Sequence, residues 1–134
     1  MAVLVDSNVL LDVLTESPTW WSWSSAAIRE AGGRATLVVN PIIYAEASVR
    51  FSTIEAFDAE ISGAGIVREP IPYAAAFLAG KAYLDYRRRG GLRTSPLPDF
   101  FIGAHAAVAR YELLTRDPRR YRTDFPSVRL IAPD

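Results

Sequence analysis

The sequence predicts an α/β fold, a mostly parallel sheet flanked by helices in three layers. Three observations carry that reading. Short apolar runs of strand length recur at 2–5, 36–39 and 113–115, and they do not alternate with polar residues, as in strands buried on both faces. Each run is followed by a longer, helix-compatible stretch, and that alternation implies parallel strands joined by right-handed crossovers. The chain has 134 residues, half of them hydrophobic, which suits one folded domain spanning 1–134 with a real core.

In order, residues 2–5 form the first strand, ended by Asp6, Ser7 and Asn8, and a short helix runs from Val9 to Leu14. Ser17 and Pro18 begin a second helix that continues to about Ala31, where Gly32 and Gly33 stop it. Its Trp20, Trp23, Ala27 and Ala31 serve the core, and Trp21 falls on another face. After the strand at 36–39, Asn40 caps and Pro41 opens a helix that carries Glu46. A helix over 52–64 has Ser52 and Glu55 at capping-box spacing, with Ile54, Phe57 and Ile61 on its inner face. A third strand follows at 66–68. Pro72 then opens the longest helix, to about Arg89, with Tyr73, Phe77 and Leu84 as core candidates. Arg87, Arg88 and Arg89 complement the negative end of its dipole, and a mobile polar loop leads to Pro96. Pro98 and Asp99 suit the first turn of a further helix, which reaches about Ala109. The strand at 113–115 stops before Asp117-Pro118, and a last strand lies at 128–131.

Composition excludes several functions. Basic and acidic residues balance at 15 each, so bulk charge gives no argument for nucleic acid. Of the 15 basic residues only Lys81 is lysine; arginine grips phosphate bidentately, but a GC-rich genome would give the same bias. The absence of Cys removes disulfides and thiolate metal sites and suits a reducing, cytoplasmic setting. A single His, His105, excludes a multi-His site and is expected to be structural. The run at 2–5 is too short for a secretory signal, and no stretch is apolar enough to span a membrane.

The chemistry lies in the carboxylates. Asp6 and Asp117 each follow the C-terminal end of a strand, where open α/β sheets bind ligands. Either alone reads as a helix cap; together they mark one rim. Asp99 points to the same rim if its helix starts there. Glu46, flanked by Ile42, Ile43, Ala45, Ala47 and Val49, needs a partner or a solvated face. Four anions in contact repel unless a cation binds or some are protonated. Oxygen-only ligands point to Mg²⁺, with Mn²⁺ possible, and such an ion suits phosphodiester hydrolysis.

The string Asp99-Phe100-Phe101-Ile102-Gly103-Ala104-His105-Ala106, followed by Leu114-Thr115-Arg116-Asp117, resembles the C-terminal half of a PIN domain, and VapC toxins in particular. The likeness extends from Val3-Leu4-Val5-Asp6-Ser7-Asn8 to Tyr121 and Phe125-Pro126, with Ser7 where many relatives carry Thr. It implies a PIN-like, Rossmann-like fold and a metal-dependent endoribonuclease acting on RNA. It further implies that Asp6, Glu46, Asp99 and Asp117 bind the metal, supported by Asn8 and Thr115, and that the protein is the homodimeric toxin of a pair with a small cognate antitoxin. Arg116, between Thr115 and Asp117, is expected to contact the phosphate or to neutralise the cluster. The aromatics Trp20, Trp21, Trp23, Tyr83 and Tyr86 are expected to offer surface to the antitoxin, which would deliver a cation to the four carboxylates.

Two other readings use the same residues. An aspartyl-phosphate-type phosphatase also needs a strand-end Asp and Mg²⁺, but it wants a second Asp where Asn8 stands and a Lys nearer the phosphate than Lys81. A non-catalytic α/β binding module would use the carboxylates only as helix caps.

Overall fold

The computed structural model describes residues 1–90 and 97–134. The loop expected before Pro96 falls, beyond Gly90, outside the described residues. Along the chain run β1 (Ala2–Val5), α1 (Ser7–Leu14), α2 (Trp21–Arg34), β2 (Thr36–Val39), α3 (Pro41–Ser48) and α4 (Ile54–Gly63). They are followed by β3 (Ile66–Arg68), α5 (Tyr73–Arg88), α6 (Leu97–Ala109), β4 (Glu112–Leu114), α7 (Arg119–Arg122) and β5 (Leu130–Ile131). The strands form a five-stranded sheet in the order β3-β2-β1-β4-β5, and every pairing is parallel.

The apolar runs became the central strands because they can be covered on both faces. Val3, Leu4, Val5, Val38, Val39, Leu113 and Leu114 are all buried. From β1 the chain steps to β2 and β3 on one side, then crosses to β4 and β5 on the other. The C-terminal ends of β1 and β4 therefore flank the point where strand order reverses, where this fold class opens a crevice. The backbone continues the ladder there, with Asp6 N–H donating to the Leu114 carbonyl at 2.8 Å.

Several elements differ from expectation, each for a visible reason. Helix α2 starts at Trp21 because Ser17 to Trp20 form a preceding turn, in which the Ser17 hydroxyl accepts the Trp20 N–H at 3.2 Å. It also runs through Gly32 and Gly33 to Arg34. A Cβ at Gly32 would stand 3.3 Å from Leu37 Cδ1, so this glycine admits a close neighbour rather than ending the helix. In α4 the cap is Thr53, whose hydroxyl accepts the Ala56 N–H at 3.2 Å, not Ser52; Phe57 and Ile61 are buried but Ile54 is exposed.

The largest correction concerns α5. Tyr73, Phe77 and Leu84 are exposed, and the buried stripe is Ala75 and Ala79 with Leu78, Ala82, Tyr83 and Tyr86 packed at its edges. Small alanines at helical spacing let α5 lie close on α6, and the aromatic ring of Phe100 fits between Tyr83 and Tyr86. Tyr83 and Tyr86 are thus part of that packing rather than spare surface. Helix α7 was not foreseen, and β5 is only two residues long. Among the described residues, no helix is long and apolar enough to cross a membrane.

Candidate metal centre

Asp6 follows β1 with extended backbone and caps α1, its Oδ1 accepting the Ser7 N–H at 2.8 Å. The cap does not exhaust it. Its Oδ2 accepts the Thr115 hydroxyl at 2.9 Å and the Tyr121 hydroxyl at 2.8 Å, with the Asn8 amide at 3.5 Å. Burial pushes the Asp6 pKa above its usual value, while the Tyr121 and Thr115 hydroxyls and the Ser7 N–H pull it down. Burial, and then the Asp6 charge, raises the Tyr121 phenol far enough that it remains a donor. A buried carboxylate supplied with this many donors is held in one orientation.

Glu46 comes from the middle of α3, and Ser7 Oγ donates to its Oε1 at 2.8 Å, linking it to the Asp6 turn. The start of α3 is fixed as its Asn-Pro pair predicts: Asn40 Oδ1 accepts the Ile43 N–H at 3.0 Å. The Asn40 Nδ2 therefore faces His105 Nδ1, 3.1 Å away on α6. Burial lowers the His105 pKa, against the pull of Glu69. With the Asn40 Nδ2 donating to Nδ1, the Nε2 edge of the ring lies 3.9 Å from Glu69 Oε1. His105 is fully buried and ties the helix bearing Glu46 to the helix bearing Asp99.

Asp99 sits in the first turn of α6 and is almost entirely buried. Its Oδ1 meets Arg120 Nη1 at 3.4 Å, and its Oδ2 has no hydrogen-bond partner among the described residues. Burial raises its pKa to about 6; the Arg120 charge opposes this, and Asp6, Glu46 and Asp117 add to it. That coupling places all three carboxylates within electrostatic reach of Asp99. Asp117 follows β4, its N–H donating to Thr115 Oγ1 at 3.1 Å and its Oδ2 accepting from Arg120 Nε at 3.0 Å.

Among the described residues, no three acidic groups converge tightly enough to hold one ion as the side chains stand. In this arrangement Arg120 spans Asp99 and Asp117, Ser7 engages Glu46, and both oxygens of Asp6 are occupied. The donor set nevertheless fits a hard divalent cation, being all oxygen with one buried carboxylate oxygen unpartnered.

Arg116 is not at the cluster. Its Nε donates to buried Asp12 at 2.8 Å and its guanidinium lies over the Trp20 ring at 5.4 Å, while only its backbone N–H reaches Asn8. Ser24 Oγ completes the Asp12 pair at 2.7 Å. The expectation that Arg116 neutralises the carboxylates is corrected to Arg120. Sequence reading missed Arg120, Tyr121 and Asp12; the first could have been found from its i, i+3 spacing to Asp117, had a helix been read after Pro118. Trp20 is half-buried against Trp23 and beneath Arg116, so Trp21, 43% exposed, is the most open of the three.

A family model described as the PIN domain matches residues 3–126. No curated protein matches the chain. Among solved structures, the chain is similar to one in VapBC2 from Rickettsia felis bound to a promoter DNA fragment, with a TM-score of 0.77, 16% identity and 100% of both chains covered. It is also similar to a chain of VapBC-1 from nontypeable Haemophilus influenzae, at TM-score 0.74 and 16% identity over 98% of each chain. A third is DNA-bound VapBC from Salmonella typhimurium, at TM-score 0.72 and 18% identity over 98% of each chain.

Proposed function

Because the chain belongs to the PIN domain family, we propose that it is a divalent-metal-dependent endoribonuclease, the toxin of a VapBC-like toxin–antitoxin pair. PIN domains are typically nucleases, which supports hydrolysis of a nucleic acid. The observation that carries the reading is Asp99: a buried carboxylate with one oxygen unpartnered among the described residues and its pKa raised to about 6 by burial and by three neighbouring carboxylates. A structural cap has no use for that arrangement, and a cation-binding ligand does.

In this reading Asp6, Glu46, Asp99 and Asp117 hold Mg²⁺ or Mn²⁺, and the bound ion supplies an activated water and polarises the phosphoryl oxygen. Thr115, Tyr121 and Asn8 fix the orientation of Asp6, and His105 with Asn40 sets the spacing of α3 from α6. The likeness to chains of VapBC complexes supports proposing RNA as substrate, a homodimer and a small antitoxin. Trp21, more than the other two tryptophans, is open to an antitoxin segment, which would deliver a basic side chain to the carboxylates.

The test is cleavage of end-labelled single-stranded RNA by purified protein, with Mg²⁺, with Mn²⁺ and with EDTA, beside Asp6→Asn. Cleavage that needs the metal and is abolished in the variant supports the reading. Cleavage at the wild-type rate by Asp6→Asn, or in EDTA, sinks it.

A further inference from the structure

We propose that Arg120 is a built-in cation that occupies the carboxylate cluster of the free protein, leaves it when a divalent ion binds, and then holds a phosphate of the RNA. The proposal rests on the metal reading of the quartet. It starts from three features of Arg120. Its guanidinium bridges two of the four carboxylates, with Nε 3.0 Å from Asp117 Oδ2 and Nη1 3.4 Å from Asp99 Oδ1. Its side chain is 46% exposed, so the head can swing into solvent without opening the core. It springs from α7, a helix of only four residues at the rim.

The contrast with Arg116 is instructive. Arg116 donates to a buried carboxylate at 2.8 Å and is covered by an aromatic ring, so it is anchored. Arg120 has no ring over it among the contacts described, and its contact with Asp99 is long for a charge-assisted bond. Asp117 keeps a second cation nearby when Arg120 departs, since Arg119 Nε lies 3.8 Å from its other oxygen. Arg120 covers one oxygen of each carboxylate, Asp99 Oδ1 and Asp117 Oδ2, so an ion taken up by the uncovered Asp99 Oδ2 meets the guanidinium charge beside it. A guanidinium and a divalent ion on the same two carboxylates repel each other, so binding of the ion favours departure of the arginine. Once displaced, a flexible cation at the mouth of the site faces the solvent side, from which the phosphate of a substrate arrives. Arginine suits that second task through its planar, bidentate fork.

The experiment is a calorimetric titration of Mn²⁺ into metal-free wild type, Arg120→Gln, Arg120→Ala and Asp6→Asn, with Arg122→Gln as a control for net charge. Binding of a fluorescein-labelled single-stranded RNA is then measured in Ca²⁺ across a range of salt. Removing a half-exposed ion-pair partner should tighten Mn²⁺ binding about tenfold in both Arg120 variants and leave Arg122→Gln near wild type. The same variants should bind RNA about tenfold more weakly, with the salt slope lowered by roughly the contribution of one phosphate. Mn²⁺ affinity unchanged or weakened in the Arg120 variants, or tightened equally by Arg122→Gln, overturns the proposal, as does unchanged RNA affinity. If wild type binds Mn²⁺ and Asp6→Asn does not, the quartet reading survives such a failure. If no variant binds Mn²⁺, the quartet reading falls and takes this proposal with it.

Discussion

Replacing Asp99 by Asn should stabilise the metal-free protein at neutral pH while removing its response to metal. Asp99 has its pKa raised from 3.8 to about 6, chiefly by burial. A carboxyl whose folded pKa lies above its unfolded value contributes most to stability below the unfolded value. That contribution is lost as pH rises through the folded one. Above about pH 6 the folded state therefore carries an ionised group it does not favour. A shift of roughly two units corresponds to about 3 kcal/mol, and solvent screening at the rim reduces the recoverable part to about 2 kcal/mol. Asn keeps the shape, can still accept from Arg120, and removes the buried charge from a group whose Oδ2 has no partner among the described residues. For a chain of this length, about 2 kcal/mol raises Tm by about 7 °C. The assay is thermal unfolding by circular dichroism in EDTA at pH 7.5 and pH 4. The variant should be more stable at pH 7.5, and the difference should vanish or reverse at pH 4, where wild-type Asp99 is protonated. Adding Mg²⁺ at about a hundredfold its Kd should stabilise wild type by roughly 2.7 kcal/mol and leave the variant unmoved. A variant less stable than wild type at pH 7.5, or a gain independent of pH, would refute the argument.

Other substitutions test the supports of the site. Arg116→Ala leaves Asp12 buried without its cation and should cost about 2–4 kcal/mol in urea denaturation; an unchanged midpoint would mean the pair is immaterial. Tyr121→Phe deletes one donor to buried Asp6 and should cost about 1–2 kcal/mol, with Mn²⁺ affinity changed in the same preparation, as calorimetry can check. Gly103→Ala drives a Cβ into the Phe125 ring and should destabilise by about 1–3 kcal/mol. Pairing it with Phe125→Leu should recover part of that loss in the same denaturation assay.

The sequence by itself determined the central strands, because runs of three or four apolar residues are stable only where both faces are covered, and β1 and β2 fall where the apolar runs do. It determined the start of α3, because an Asn-Pro pair caps a helix by local hydrogen bonding alone. It also put Asp6 and Asp117 just beyond strand ends, since strand termination is written in the chain. What it could not determine was which way neighbouring side chains face and which helix face is inner. Thr115 and Arg116 are adjacent just past β4, where the chain bends at Arg116, and their side chains diverge: Thr115 turns to Asp6 and Arg116 to Asp12. Arg120 reaches the carboxylates because a single turn of helix after Pro118 brings it back over Asp117. On α5, both an aromatic stripe and an alanine stripe satisfy helical periodicity, and the alanine one went inside because α6 packs close, leaving Phe77 in solvent. Local chemistry fixes where elements begin and end; the choice of partner across 20 or 100 residues, such as Asp12 with Arg116, belongs to packing, where burial decides which contacts are made.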